Sequence, residues 1–193
     1  MQNEAKCWRN SFLRIKLLAN KQGTALRCEA PPWSRHEIKQ QIAILETVRG
    51  ICLPASYKEF LYSCDGCQNL FHGAGLYSVA QLLDPACAQA VDGVIADFHT
   101  PVPCYSAPVK PDWRQSAYLC IGTDPTGDIV FVLDTGTVYH GGEMDVIAWF
   151  SGIGLRFPSF AHLLEFIADL VEQHPTESMP IRSVGVLAAG LAA

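Results

Sequence analysis

Two cysteines three residues apart, Cys64 and Cys67, form the pattern in this sequence that comes closest to a chemical motif. A Cys-x-x-Cys pair can act as a dithiol redox couple or supply two of the four ligands of a zinc ion. A zinc site normally has a second such pair, and this sequence has none. The residues that would have to complete the site through tertiary contacts are Cys104, Cys120, His72 and His140. We therefore predict that no metal binds here and that Cys64 packs on a helix.

Two further patterns lack the residue that their chemistry requires. Gly122 and Gly127 have the spacing of a phosphate-binding loop, but Asp128 stands where lysine is needed and would repel phosphate. Ser151 is followed by a glycine but lacks the glycine two residues before it that a nucleophile elbow requires. The six histidines are scattered, and none has an evident nucleophile beside it. The sequence thus predicts no catalytic residue and no cofactor.

Acidic residues recur on the predicted turns of the second half of the chain. Asp124, Asp128 and Asp134 are followed by Glu143 and Asp145, without the spacing of a calcium loop. Each carboxylate can either cap its own turn or belong to an acidic rim that contacts a basic partner. We predict partner contacts for Asp124, Glu143 and Asp145, whereas Asp128 is expected to fix its turn.

The charge is distributed unevenly along the chain. Residues 1–49 carry a net charge of +5 and residues 50–193 a net charge of −10. The acidic body argues against nucleic acid as a partner and favours a basic protein. The first residues, MQNEAKCWRN, lack the apolar region of a signal peptide, so we expect the eight cysteines to be reduced and the protein to be cytoplasmic. No apolar run reaches the roughly 20 residues of a membrane span, so no membrane partner is expected.

A helix predicted over residues 53–64 is the element around which the chain is organised. Its apolar residues recur with helical spacing and form one stripe. The stripe consists of Leu53, Tyr57, Phe60, Leu61 and Cys64. Pro54 suits the first helical turn, and Gly66 is placed to end the helix in a left-handed conformation. The pattern indicates a short helix that is pressed onto a core by aromatic side chains.

Cap signals predict three further helices. Ser34 and Glu37 form a capping-box pattern for a helix that ends at Gly50, and residues 78–81 repeat the pattern for a single turn. Ser159 caps a closing helix. The run LRIKL over residues 13–17 fits an edge strand or an amphipathic helix equally well. We interpret residues 1–32 as an added element packed on the domain, with a basic arm as the alternative.

Strands are predicted at residues 76–77, 118–121, 129–133, 138–139 and 146–150. The unbroken apolar run 129–133 indicates a strand that is covered on both faces. Turns are predicted at 67–75, 124–127 and 134–136, and residues 151–156 read as a glycine-rich insertion. Five prolines make residues 84–116 a long irregular excursion.

These motifs together resemble the SUKH superfamily. The family signature LP-x-x-Y-x-x-F-L leads to Asn-Gly, and here Asp65 stands in the place of the asparagine. A second block, Ile-Gly, an acidic turn and Gly-Asp, and a closing helix with a Ser-Phe start follow in family order. The residues that the resemblance makes part of the structural motif are Leu53, Pro54, Tyr57, Phe60, Leu61, Gly66, Gly122, Gly127, Asp128 and Phe160.

The resemblance implies an α+β fold, with a mostly antiparallel sheet packed by N-terminal helices and a closing C-terminal helix. The implied organisation is an N-terminal extension over 1–32, a SUKH-like domain over 33–174 with the excursion 84–116, and a tail over 175–193.

Known members include bacterial immunity proteins that neutralise secreted toxins and fungal regulators of cell-wall glucan synthesis. The resemblance implies a non-enzymatic protein of the immunity type that binds a toxin domain, for which a basic nuclease is one candidate. The alternatives are a regulatory interaction protein of the fungal type and, behind it, a Cys/His metalloprotein or enzyme.

Overall fold

A computed structural model describes residues 4–24, 26–28, 33–87, 102–103 and 118–174. The helices are α1 (Glu4–Gln22), α2 (Arg35–Arg49), α3 (Ala55–Cys64), α4 (Val79–Leu83) and α5 (Phe160–Gln173). The strands are β1 (Cys67–Phe71), β2 (Ala74–Leu76), β3 (Val102–Pro103), β4 (Tyr118–Thr123), β5 (Ile129–Val138), β6 (Met144–Phe150) and β7 (Ile153–Phe157). None of the helices in this part of the chain is long and apolar enough to cross a membrane.

The main sheet has five strands in the order β3-β7-β6-β5-β4. Its pairs are antiparallel except for β3 and β7, which run parallel. Strands β1 and β2 form a separate hairpin, and Arg27 adds an isolated antiparallel bridge to Gln68. The predicted α+β class is therefore confirmed.

The helices cover one face of the sheet through an aromatic cluster centred on Phe60. The rings of Trp8, Phe12 and Phe160 lie 5.8, 5.5 and 5.3 Å from it. Trp8 and Phe12 belong to α1, whose buried side chains follow a helical spacing that Ile15 continues. Of the two alternatives for the N-terminal run, the amphipathic helix is correct, and it packs into the same core.

The opposite face of the sheet is also buried. It carries a smaller cluster composed of Cys120, Val130, Val132, Ile147 and Trp149. Strand β5 alternates between the two clusters, and its residues 129–133 are all 0% exposed. This confirms the prediction from the unbroken apolar run, because a strand with two buried faces has no polar position to alternate with.

Most of the predicted helix ends are confirmed. Ser34 and Glu37 form the capping box of α2, which ends at Gly50 with φ 65°, and Ser78 forms the box of α4. Pro54 lies one position earlier than predicted, because it is the N-cap of α3 rather than part of its first turn. Asp65 ends α3, and Gly66 follows with φ 90°.

Two predicted turns were wrong, and one segment for which no strand was predicted contains a strand. Residues 67–71 form strand β1, and residues 134–136 lie within β5, where the register shifts and the strand continues. The expected insertion at 151–156 contains most of strand β7. Ser151 and Gly152, with φ 50° and 85°, form the tight turn that joins it to β6. Most of the excursion 84–116 and the tail 175–193 lie outside the described residues.

Two glycines allow the hairpin to approach the main sheet. A Cβ atom on Gly122 would lie 2.1 Å from the carbonyl oxygen of Gly75. Because that oxygen belongs to the backbone, no side-chain rotation could relieve the clash. Two residues after Gly75, the Tyr77 N–H donates to the carbonyl of Ile121, the residue before Gly122, at 2.8 Å. This contact explains why the strand that contains Gly122 tolerates no side chain there, and it fixes the hairpin against the sheet edge.

Candidate partner-binding surface

The β1–β2 hairpin is the part of the described surface with the most unusual backbone. Asn69 and His72 have φ values of 58° and 47°, in a region that is uncommon for residues other than glycine. Gly73 follows with a φ of 84°. The His72 ring stands edge-on to Phe71 at a centroid distance of 4.4 Å. Left-handed residues of this kind persist where the surroundings enforce them, and they cluster at binding sites.

A cleft of about 420 Å³ lies on one side of the hairpin. Its lining combines an apolar wall from α1, β1 and the end of α5 with polar groups from the hairpin tip and the two helix ends. The wall includes Ile15, Leu70 and Val171, and the polar groups include His72 and His174. Such a lining suits an apolar side chain that carries or adjoins a hydrogen-bonding group.

A second cleft, of about 540 Å³, lies on the other side of the hairpin. It is bordered by Arg27, Asp65 and Gln68, by the α4 cap, and by the β4–β5 turn with Asp124. Asp65 accepts a hydrogen bond from the backbone N–H of Val79 at 2.8 Å. Burial raises the pKa of Asp65, and the Val79 N–H opposes that rise. This cleft is therefore lined mainly by hydrogen-bonding groups, among them the positively charged Arg27 and the negatively charged Asp65.

Asp124, the first of the acids predicted to bind a partner, lines this second cleft but is only 6% exposed. Its carboxylate accepts hydrogen bonds from the backbone N–H groups of Ile129 at 2.7 Å and Thr126 at 3.0 Å, and from the Thr126 hydroxyl. The carboxylate therefore stabilises its own turn. Asp128 on the same turn is exposed and accepts from Thr126 at 3.0 Å, and Gly127 between them has φ 78°.

Glu143, the second predicted acid, reaches from the β5–β6 turn to the start of α3. Its Oε1 accepts from the Ser56 backbone N–H at 3.0 Å, and its Oε2 accepts from the Ser56 hydroxyl at 2.6 Å. The N-cap residue Pro54 provides no side-chain hydrogen bond. Glu143 thus accepts the hydrogen bond that an N-cap side chain would normally accept, and it places its negative charge at the positive end of the helix.

Asp145, the third predicted acid, is 0% exposed and belongs to a buried ion cluster. Arg156 Nη1 donates to Asp145 at 2.5 Å and to Asp134 at 2.9 Å, and the Tyr139 hydroxyl also donates to Asp145. Burial and the Asp145 carboxylate raise the pKa of Tyr139. The expectation that these acids are exposed was wrong for Asp124 and Asp145, because both charges are consumed by internal hydrogen bonds. Their partner contacts stay an untested prediction.

In the described part of residues 50–193, three acids are buried, namely Asp124, Asp134 and Asp145, and the other described acids are at least partly exposed. Among the acids described there, only Asp84, Asp128 and Glu172 are exposed. Glu172 forms an ion pair with Arg14 of α1.

The motif residues hold the core beneath this surface. Leu53, Tyr57, Phe60, Leu61 and Phe160 are each at most 1% exposed. Cys64 and Cys67 are free thiols, half-buried and buried respectively. Within the described ranges, no three His, Cys, Asp or Glu side chains are arranged to hold a metal ion.

The hairpin site was missed by sequence reasoning. The two-residue loop His72-Gly73 joins strands whose ends, Phe71 and Ala74, face each other, and both loop residues have positive φ. That is the primed turn typical of hairpins, which Asn-Gly or Asp-Gly usually signals. Histidine before glycine is a weaker signal, and residues 67–71 do not alternate strictly between buried and exposed.

Comparison with known families agrees with the resemblance in the sequence. The family model described as the SMI1 / KNR4 family (SUKH-1) matches residues 39–169. This range includes α3, both strands of the β1–β2 hairpin and most of α5. No curated protein matches the sequence significantly. The family supports a non-catalytic role in protein–protein interaction. The chain is thus a member of the SMI1 / KNR4 family (SUKH-1).

Proposed function

We propose that this protein is an immunity protein of the bacterial type, which binds a toxin domain in the cytoplasm and blocks its activity without catalysing a reaction. The observation that carries the proposal is the β1–β2 hairpin, which belongs to the family domain and separates the two clefts. Its residues Asn69 and His72 have left-handed backbone conformations. His72 and Gly73 have the positive φ values that a primed turn requires, so the hairpin presents a fixed shape between the two clefts.

The two clefts favour a protein partner. They differ in character, since one has an apolar wall with histidines and the other presents Arg27, Asp65 and Gln68. A partner that straddles the hairpin would place an apolar anchor in the first and hydrogen-bonding groups in the second. That division between an anchor and a polar border is typical of protein interfaces.

We expect the partner to be the toxin domain that is encoded beside the gene of this protein. The test is whether the two proteins form a complex, and whether that complex restores the growth of cells in which the toxin domain is produced. Gln68→Arg places a bulky charge in the second cleft, where the native side chain is exposed. We expect it to weaken binding at least tenfold. Gln40→Arg is the matched control, because Gln40 is also exposed and lies on α2, outside both clefts. It should leave the affinity unchanged.

The outcomes separate the function from the site. A neighbouring toxin domain that neither binds the protein nor is neutralised by it would contradict the immunity function and favour the regulatory alternative. Neutralisation that Gln68→Arg and Gln40→Arg affect equally would keep the function and remove the hairpin clefts as its site.

A further inference from the structure

A basic patch lies where side chains of α1 and α2 converge on α3. It consists of Arg9 of α1, Arg35 and Lys39 of α2, and Glu59 and Tyr62 of α3. None of these residues lines either cleft beside the hairpin. The patch is therefore a second surface feature, separate from the site on which the proposed function rests.

Two arginines of the basic patch share one carboxylate. Arg9 Nη2 lies 3.4 Å from Glu59 Oε2, and Arg35 Nη2 lies 3.2 Å from Glu59 Oε1. Lys39 forms no ion pair with any carboxylate in the part of the chain that the structure describes. The patch thus combines three positive charges with one negative charge, and its net charge is +2.

The positive charges are held close together against Tyr62. Arg35 Cζ and Lys39 Nζ lie 5.2 and 5.9 Å from the centroid of its ring, within cation–π range. Like charges four residues apart on a helix repel each other. Arg35 is also the first residue of α2, where the positive end of the helix dipole disfavours a cation. Local preferences broken in this way are typical of functional sites.

The two guanidinium groups keep donors for a ligand. Each uses only its Nη2 atom in hydrogen bonds with Glu59, and within the described ranges their Nε and Nη1 atoms make none. The side chains of Arg9 and Arg35 are 53% and 61% exposed, whereas that of Glu59 is 32% exposed. A carboxylate from another molecule therefore reaches both arginines from the solvent side, and the planar guanidinium matches its geometry.

We propose that the basic patch binds an acidic segment of a partner protein, whose carboxylates contact Arg9, Arg35 and Lys39. The chemistry of the patch favours a protein over a nucleic acid. Nucleic-acid binding involves on the order of 6–10 phosphate contacts, whereas the patch offers three cations on a chain with a net charge of −5. Arginine and tyrosine are also the residue types that most often dominate binding between proteins.

The acidic segment is recognised by features particular to this chain. Arg9 and Arg35 lie outside residues 39–169, which the family model matches, whereas Glu59 and Tyr62 lie inside that range. The family domain thus provides the carboxylate and the ring, and the preceding residues add two of the three cations. The acidic partner is accordingly a property of this protein and not of the family as a whole.

The test measures binding of a short fluorescein-labelled polyglutamate peptide to the full chain by fluorescence anisotropy. We expect saturable binding that weakens as NaCl rises from about 0.02 to 0.2 M, because salt screens the charges. Arg35→Gln combined with Lys39→Gln should weaken binding about fivefold. The matched control is Lys16→Gln with Lys21→Gln, which removes two charges from exposed positions of α1 outside the patch. It should change the affinity less than about twofold.

A second variant is expected to act in the opposite direction. Glu59→Gln removes the carboxylate that competes for both arginines, so the peptide should bind about threefold more tightly. Asp128→Asn is its control, because it removes one negative charge from an exposed position on the β4–β5 turn. This variant should leave the affinity unchanged. A misfolded protein would not gain affinity, so the Glu59→Gln result is independent of any loss of folding.

Three outcomes would overturn the proposal. The first is the absence of saturable peptide binding at low salt. The second is equal weakening by the two double variants, which would show a response to net charge and not to the patch. The third is tighter binding of a single-stranded DNA of the same length, which would indicate a nucleic-acid site. Because no toxin domain takes part, failure here leaves the proposed function standing.

Discussion

Helices α2 and α3 are neighbours of 15 and 10 residues, and the backbone N–H groups at their N-termini find their acceptors in different ways. The α2 terminus is closed locally, because Ser34 and Glu37 cap each other's backbone N–H groups at 3.3 and 2.7 Å. The α3 terminus is closed by Glu143, a residue 87 positions away from its partner Ser56. One terminus is thus specified within four residues of sequence, whereas the other is closed by a residue of the β5–β6 turn.

The comparison shows why the same residue type is easy to interpret in one place and hard in another. Glu37 announces its role through its spacing from Ser34. Glu143 has no capping residue at that spacing in the sequence. The sequence alone therefore predicts that Glu143 is an exposed acid that contacts a partner. Interpretations of isolated charged residues therefore depend on tertiary structure to a degree that cap signals do not.

The largest expected effect tests how far α3 depends on remote contacts. Phe60→Ala should lower the free energy of unfolding by about 3–5 kcal/mol, because it empties the centre of the aromatic cluster. Val48→Ala on α2, where the side chain is 69% exposed, is the control and should stay within about 0.5 kcal/mol. Chemical denaturation measures both. A loss below about 1 kcal/mol for Phe60→Ala would mean that α3 is not a core element.

An intermediate effect tests the remote cap itself. Glu143→Ala should cost about 1–2 kcal/mol, because it leaves the Ser56 N–H and hydroxyl without their acceptor. Glu143→Gln keeps one acceptor oxygen and should cost less. A double-mutant cycle with Ser56→Ala should give a coupling of about 1 kcal/mol, measured by denaturation. Independent, additive losses would show that Glu143 stabilises the protein through other contacts.

The smallest effect concerns the local cap. Ser34→Ala should cost about 1 kcal/mol through the lost cap hydrogen bond. The side-chain and backbone hydrogen bonds with Ser34 lower the pKa of Glu37 below its ordinary value of 4.5. The associated stability is present above pH 4.5 and is lost as pH falls through the lowered pKa. The stability difference between wild type and Ser34→Ala should therefore shrink below pH 4.5, and a constant difference would show that the Ser34 hydroxyl does not lower the pKa of Glu37.

Much of the fold could be predicted because its signals are local. The capping boxes, the stripe of α3 and the apolar run of β5 each follow from a few adjacent residues. Strand β7 was missed because Ser151-Gly152 looks like the start of a flexible insertion, although its two positive φ values make a tight turn. The two turns wrongly expected at 67–75 and 134–136 failed for the related reason that strand pairing overrides local turn preference.

Less of the candidate site could be predicted, because it is built from packing rather than from reactive residues. The clefts arise where the hairpin meets α1, α5 and the β4–β5 turn, and no single segment encodes them. The acids that the sequence made prominent went into internal hydrogen bonds instead. Asp145 is the clearest case, since its partner Arg156 lies in a segment that the sequence indicated to be an insertion.

The packing of α1 decides where the chain can be shortened. The matched family residues begin at 39, yet Trp8, Phe12 and Ile15 fill the core from outside that range, and Arg14 is ion-paired with Asp169 of α5. A chain cut before residue 33 would leave Phe60 and Phe160 facing water on a broad aromatic surface. Such a surface promotes aggregation, so the unit of purification, crystallisation and domain transplantation is longer than the unit that defines the family.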